Sequence, residues 1–407
     1  VAAASPLPRR AALQYGVAYL GAHLAFMPLL VLLLPRRVES IAQQSAGELL
    51  SWLLLSGAVM AALAHILAGH SSDRWLERHG NRRGLIAIGA AALAGSYLLL
   101  AQAYSFALVM AAILLFQLAV NIAFAPLGAL IADHFANEHK GRMGALMNAA
   151  LPASSLSVVL VGWLFPEDGA TAFVFTGVLA LAFFLPLLVN WNLGPVQEAQ
   201  PSPADGPAPD MRRSRLDFSL AWGARLCVQL GSAFVHGYIY LYLATLVASG
   251  SGLQSATDML ATLSGPAAVL AIVVTLAIGS LSDRAGQRRR PLMLASVAVA
   301  LGLVLLAQSQ GMAMLLAGYA IFQVGLSTFL SIDTAMVAQL VSGNRNRGTL
   351  LGVMNLTNTL PSIIAPGLAL LAFHERALQQ QLSVLFIACA VLALLGGIGI
   401  QFIRTVP

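Results

Sequence analysis

The chain has 407 residues, of which 58% are hydrophobic and only 9% charged. A water-soluble chain of this length carries about 25% charged residues, so composition excludes a soluble enzyme and points to a polytopic membrane protein. The formal net charge is +6, yet the arginines fall between apolar runs, which marks membrane topology rather than a nucleic-acid surface.

A spanning helix needs about 20 mostly apolar residues. Arg9 and Arg10 precede the first such run, which is too long for a signal-peptide core and shows no small-residue cleavage site. Twelve runs qualify: 12–34, 48–69, 84–103, 105–133, 142–164, 170–191, 218–246, 256–280, 291–308, 311–341, 349–373 and 379–403. They are long, unalternating, and rich in Leu and Ala, which predicts helices rather than strands. Runs longer than the bilayer is thick are expected to tilt. Cys227 and Cys389 both lie inside apolar runs, without disulfide or metal-site spacing.

Orientation follows from the 22 Lys and Arg residues. With both termini cytoplasmic, 18 of the 22 fall inside; Arg36, Arg37 and Arg376 fall outside, and Arg225 falls within the seventh helix. Residues 192–217 hold five prolines and few apolar side chains, which predicts a flexible linker. The predicted organisation is a six-helix bundle over 1–191, a cytoplasmic linker over 192–217 and a second six-helix bundle over 218–407.

The halves repeat one another. GHSSDRWLERHGNRR begins at Gly69 and GSLSDRAGQRRR begins at Gly279, placing Asp73 and Asp283 at equivalent positions 210 residues apart. At that offset Leu20-Gly21-Ala22 meets Leu230-Gly231-Ser232. Past the shorter second loop the offset is 206, and Phe116-Gln117-Leu118-Ala119 meets Phe322-Gln323-Val324-Gly325. Further on, Met147-Asn148 meets Met354-Asn355. The expected fold is thus an all-α membrane protein with twelve transmembrane helices in two pseudo-symmetric six-helix bundles.

These two loops, and the stretch ALIADHFANEHKGRMGALMN from Ala129 to Asn148, resemble the cytoplasmic motif and the helix 4 to helix 5 junction of the major facilitator superfamily of secondary transporters. The resemblance covers nearly the whole chain. It implies a cytoplasmic gate at Gly69, Asp73, Arg74, Arg82, Arg83, Asp133, Gly279, Asp283 and Arg284. There Asp73 would tie to the start of helix 11 in the outward-facing state, and the loop arginines would pair with Asp133. Gly69 and Gly279 would permit close helix approach. The alternative is a solvated charged loop that only sets orientation. Helix 11, GTLLGVMNLTNTLPSIIAPG, is similar to that of cation-coupled sugar symporters of the sucrose type. Helix 1, however, lacks an acidic residue, and Leu151-Pro152-Ala153-Ser154 replaces the Gly-Pro-Gly-Gly pattern of proton-driven drug antiporters.

Polar side chains within the apolar runs recur at helical spacing. Tyr15, Tyr19 and His23 form one stripe; Arg225, Gln229, His236 and Tyr240 form another. Gln117 and Asn121 lie four apart, with Gln323 in the repeated position of Gln117; Asn148 and Asn355 are counterparts, with Asn358 nearby. The resemblance places helices 1, 4, 7 and 10 around a central cavity. These twelve residues other than Arg225 are the candidate solute ligands, with interhelical hydrogen bonding as the competing role for each. Amides donate and accept hydrogen bonds, and tyrosine offers a flat ring with a polar edge, which suits a hydroxyl-rich solute. Arg225 and Asp333 are predicted to pair, because an isolated charge at that depth is costly. Asp333 is the candidate proton carrier, a static ion pair is the competing role, and His23 and His236 are alternative protonation sites. Glu48 and Asp258 sit at outer helix ends.

The expected function is secondary active transport of a small sugar or glycoside by alternating access, coupled to a proton. The alternatives are a proton-driven exporter of amphipathic compounds or drugs and a facilitative uniporter. No Walker-type loop, nucleophile constellation or metal-ligand spacing is present in the sequence, so neither an enzyme nor a cofactor is expected. The expected partners are the solute, H+ and the lipid bilayer, with no nucleic acid, and the protein is expected to be a monomer. One lysine among the 22 basic residues and abundant alanine suggest a high-GC bacterium, hence a multi-pass protein of the inner membrane.

Overall fold

The structure, a computed structural model, describes residues 9–135, 137–167, 169–190, 211–248, 255–285, 287–341, 347–373 and 378–404. Within some of these helices a few side chains, including that of Asn148 and those of 279–285, fall outside the description. The regular structure among the described residues is helical. In chain order it comprises α1 (Arg9–Ile41), α2 (Ala46–His79), α3 (Arg83–Gln102), α4 (Phe106–His134), α5 (Asn137–Leu164), α6 (Ala170–Val189), α7 (Met211–Ala248), α8 (Ala256–Ala285), α9 (Arg289–Ala307), α10 (Met312–Leu340), α11 (Arg347–Ala372) and α12 (Leu378–Gln401).

Ten of these helices are long and apolar enough to cross a membrane, against twelve runs expected. The other two are α5 and α11. The described apolar part of α5 is the shorter stretch Pro152–Leu164. In α11, Asn355, Thr357, Asn358, Thr359 and Pro361 dilute an otherwise apolar sequence.

The chain divides into two compact units, Val1–Pro201 and Ser202–Pro407. In the first, α3 packs on α4 and α6, α2 packs on α4, and α1 packs on α5 and α6. Adding six to each helix number reproduces the same neighbours in the second unit. Lipid is as apolar as these helix faces, so association depends on close packing of small residues. Gly89 on α3 and Gly302 on α9 carry the closest approaches. A Cβ at Gly89 would sit 2.4 Å from the Ala123 nitrogen, and one at Gly302 would sit 2.5 Å from the Phe322 nitrogen.

Several local features depart from the sequence expectations. Helix α1 runs to Ile41 instead of ending near residue 34. It passes through a π turn at Leu29–Leu33 directly after Pro28, because proline removes one ladder donor and its ring crowds the carbonyl four residues back. Helix α7 begins at Met211, so residues 211–217, assigned to the linker, are helical; residues 191–210 fall outside the description. Helix α2 continues to His79, so most of the first repeated motif is helix rather than loop. The chain reverses at Gly80, whose φ of +68° favours glycine and whose N–H donates to the Leu76 carbonyl at 2.8 Å. Among the described residues nothing lies within 4 Å of a Cβ placed at Gly69.

Two glycines of α3 should respond in opposite directions. Alanine at Gly89 is expected to destabilise the protein by about 1–3 kcal/mol through overpacking. Alanine at Gly95, where nothing lies within 4 Å, is expected to stabilise it by up to about 1 kcal/mol through helix propensity. Melting of the purified variants in detergent measures both; a lower melting temperature for Gly95→Ala than for Gly89→Ala would contradict the packing account.

Candidate functional site

In the first unit, the short turn after α2 places Arg82 at the N-cap of α3. Its Nε donates to Asp133 Oδ2 at 2.6 Å, near the end of α4, and its Nη1 donates to Asp73 Oδ1 at 2.9 Å on α2. Nη1 also donates to the Ser72 hydroxyl. The Arg82 side chain is 6% exposed, that of Asp133 14%, and that of Asp73 70%. Burial alone would lower the Arg82 pKa, but the hydrogen bonds and charges of Asp133 and Asp73 outweigh it and raise the pKa above its ordinary value. One guanidinium thus ties the ends of α2, α3 and α4 together. Arg74 and Arg83 are exposed; the backbone N–H of Arg83 donates to Asn81 Oδ1 at 3.0 Å. The side chains of Gly279, Asp283 and Arg284, the repeated members of this set, fall outside the described residues.

Deeper in the same unit, Tyr15, Tyr19 and His23 form a continuous aromatic run on α1. Ring centroids are 5.9 Å apart between Tyr15 and Tyr19, and 4.8 Å apart between Tyr19 and His23. Phe124 of α4 packs on Tyr19 and His23, and Phe135 packs on Tyr15. Tyr15 and Tyr19 are buried, so the stripe faces α4 within the unit. The neighbouring polar cluster joins α2 to α4: Asn121 Nδ2 donates to the Gln117 carbonyl at 2.8 Å, and Asn121 Oδ1 meets His65 Nδ1 at 3.1 Å. Gln117 is buried, and its Oε1 has no hydrogen-bond partner among the described residues.

In the second unit three helices meet at an ion pair. Arg225 Nη1 on α7 donates to Asp333 Oδ2 on α10 at 3.0 Å. Arg225 Nη2 and Gln229 Nε2, also on α7, donate to Asn358 Oδ1 on α11 at 3.1 and 2.9 Å. Asn358 Nδ2 in turn donates to Asn355 Oδ1 at 2.9 Å. Asp333 is wholly buried, and its Oδ1 lacks a hydrogen-bond partner among the described residues. Arg225 lies 14 residues into α7, about 21 Å at 1.5 Å per residue. Trp222, one turn earlier, fixes α7 to α11 by donating from Nε1 to the Val353 carbonyl at 2.9 Å.

The remaining expected ligands stand apart from this network. His236 Nδ1 meets Ser232 Oγ at 3.1 Å on its own helix. Tyr240 and Gln323 are buried. The side chain of Asn148 falls outside the described residues. Sequence reasoning missed His65, which belongs to neither repeated motif nor stripe. Arg36 and Arg37, which follow the first apolar run, are both buried. Arg36 donates to the Phe165 carbonyl at 2.8 Å, and Arg37 donates to those of Leu100 and Ala103 at 3.2 and 2.6 Å. Arg37 also stacks over Tyr104 and Phe173, 4.4 and 4.7 Å from their ring centroids. They close the C-terminal ends of α5 and α3, where carbonyls lack intrahelical donors. A Pro-Arg-Arg step directly after an apolar run was the available signal.

The Arg82 cluster predicts unequal losses. Arg82→Gln strands the mostly buried Asp133 and is expected to cost about 3 kcal/mol, whereas Asp73→Asn, on an exposed side chain, is expected to cost under about 1 kcal/mol. Thermal unfolding in detergent measures both; equal losses would show that exposure does not decide the value of these pairs.

The chain was compared with known proteins. No curated protein matches it significantly in sequence. Solved structures share its fold over nearly the whole length, two transporters among them. One is a bacterial homologue of the human lysosomal transporter Spinster, in an inward-facing and unoccupied conformation, with a TM-score of 0.68 at 15% identity, covering 98% of this chain and 99% of the other. The second is the POT family transporter PepTSo, with a TM-score of 0.70 at 11% identity, covering 98% of each chain. The family model described as Major Facilitator Superfamily matches residues 12–366, and again 260–406. The chain therefore belongs to the major facilitator superfamily and is a membrane transporter.

Proposed function

We propose that this transporter moves a small hydroxyl-rich solute, a sugar or glycoside, by alternating access coupled to a proton. In this reading twelve spans form two six-helix bundles, and the Arg82 cluster belongs to a cytoplasmic gate. The protein works as a monomer in a bacterial inner membrane with both termini in the cytoplasm. The observation that carries the reading is the network of Arg225, Asp333, Gln229, Asn358 and Asn355. Three helices converge there on one buried ion pair whose charged members are bordered by amides.

The chemistry supports coupling as follows. A carboxylate in a low-dielectric interior is stable only while its cation stays close. Protonation of Asp333 removes that requirement and frees Arg225 to bond elsewhere. Asp333 Oδ1 has no hydrogen-bond partner among the described residues and is the atom best placed to accept the proton. Gln229 and Asn358 are held in fixed orientations by the pair, and each amide carries both donors and acceptors, as a sugar hydroxyl requires. Gln117, with its unsatisfied Oε1, and Asn121 supply similar groups in the first unit. The aromatic run of Tyr15, Tyr19 and His23 favours a second reading, an amphipathic aromatic solute exported by proton antiport.

A thermal-shift screen of the purified protein against sugars, glycosides, amino acids, peptides and aromatic drugs separates the two readings, and stabilisation by drugs alone would reject the first. In proteoliposomes, Asp333→Asn is expected to abolish proton-driven accumulation while keeping counterflow of labelled solute within about twofold. Undiminished accumulation would remove Asp333 from coupling. Gln229→Leu is expected to raise KM up to about tenfold, the loss of one hydrogen bond.

A further inference from the structure

We propose that the cytoplasmic end of the second unit carries a binding site for the phosphate headgroup of an anionic phospholipid, formed by the start of α9 and the end of α12. A cavity of about 300 Å³ opens there, lined by Gln287, Arg289, Arg290 and Gln401. Two of its four lining residues are cations and the other two are amides. Among the described residues neither Arg289 nor Arg290 forms an ion pair.

The site is braced by its own backbone. Arg289 Nη1 donates to the Ile403 carbonyl at 2.8 Å, and Gln401 Nε2 returns a bond to the Arg289 carbonyl at 3.0 Å. Helices α9 and α12 pack on each other, and these two bonds lock their ends. Asp217, an acid at this end, is already engaged, accepting the Arg404 backbone N–H at 3.0 Å. The cavity therefore presents positive charge and amide groups on a rigid frame.

What lies beyond the cavity argues for a lipid rather than free phosphate. On α9, Leu294, Val297 and Leu301 are exposed and follow Arg290 at intervals of four, three and four residues, a single helix face. On α12, Leu395 and Ile398 are likewise exposed three residues apart, and Phe402, just past the helix end and next to Gln401, is exposed too. Two neighbouring helices thus each carry an apolar stripe that starts at a cationic cavity. A phosphate held by Arg289 and Arg290 would lay its acyl chains along those stripes. Basic pockets between helices on the cytoplasmic side select anionic headgroups by this charge complementarity.

The test is native mass spectrometry of the full chain released from detergent with added phosphatidylglycerol or phosphatidylcholine, alongside thermal shift with each lipid and with inorganic phosphate. The wild type is expected to retain phosphatidylglycerol preferentially and to be stabilised by it. Each of Arg289→Gln and Arg290→Gln is expected to weaken that retention about fivefold, the worth of one surface arginine against an anionic lipid. Arg290 is exposed, so Arg290→Gln remains informative if loss of the Ile403 contact perturbs Arg289→Gln. Equal retention of the two lipids by the wild type, or unchanged phosphatidylglycerol retention in Arg290→Gln, would overturn the proposal. Stabilisation by inorganic phosphate equal to that by phosphatidylglycerol would reassign the site to a soluble anion and also overturn it.

Discussion

Hydrocarbon supplies no hydrogen bonds, so each guanidinium buried in this protein must find its partners within the fold. Three arginines meet that demand in different ways, and the helix arrangement around each follows from the partners it uses. Arg82 takes two carboxylates and a hydroxyl from α2 and α4, which fixes the ends of three helices at one point. Arg37 takes backbone carbonyls left open at the end of α3 and two aromatic faces. Arg225 takes one carboxylate and one amide from two other helices. The first two each draw on several partners. The third depends on a single, wholly buried acid, and one proton removes the charge of that acid.

The class of fold was legible because it rests on features a linear pattern displays: apolar runs of bilayer length, basic residues between them, and a motif repeated at a constant offset. The local geometry was less legible where a residue's partner is distant in sequence. Arg36 and Arg37 read as charges beyond a span, since the pattern cannot show that the carbonyls of Phe165, Leu100 and Ala103 await them. The end of α1 was misplaced for the same reason, because those contacts carry the helix past Pro35. Gly69 and Gly80 show the converse. The motif drew attention to Gly69, which packs against nothing among the described residues, while the left-handed turn that positions Arg82 lies at Gly80. His65 carried no signal of its own; only the packing of α2 on α4 brings it to Asn121.

The repeat also shows where duplicated scaffolds diverge. At the offset of 210, Tyr15 on α1 stands where Arg225 stands on α7, and Tyr19 stands where Gln229 stands. At 206, Leu127 on α4 stands where Asp333 stands on α10. The neighbours of the helices agree between the units, so the same positions on the same face hold different chemistry. In the first unit they carry stacked rings sealed by Phe124 and Phe135. In the second they carry an ion pair extended by amides. The Tyr15–Tyr19 stack gains its stability from contact area rather than from charge. A buried ion pair is poised between attraction and desolvation, and a single proton alters that balance. Helix packing constrains the backbone alike in both units, while these side chains are free to specialise. One unit thereby holds a rigid apolar contact and the other the titratable element on which proton coupling would depend.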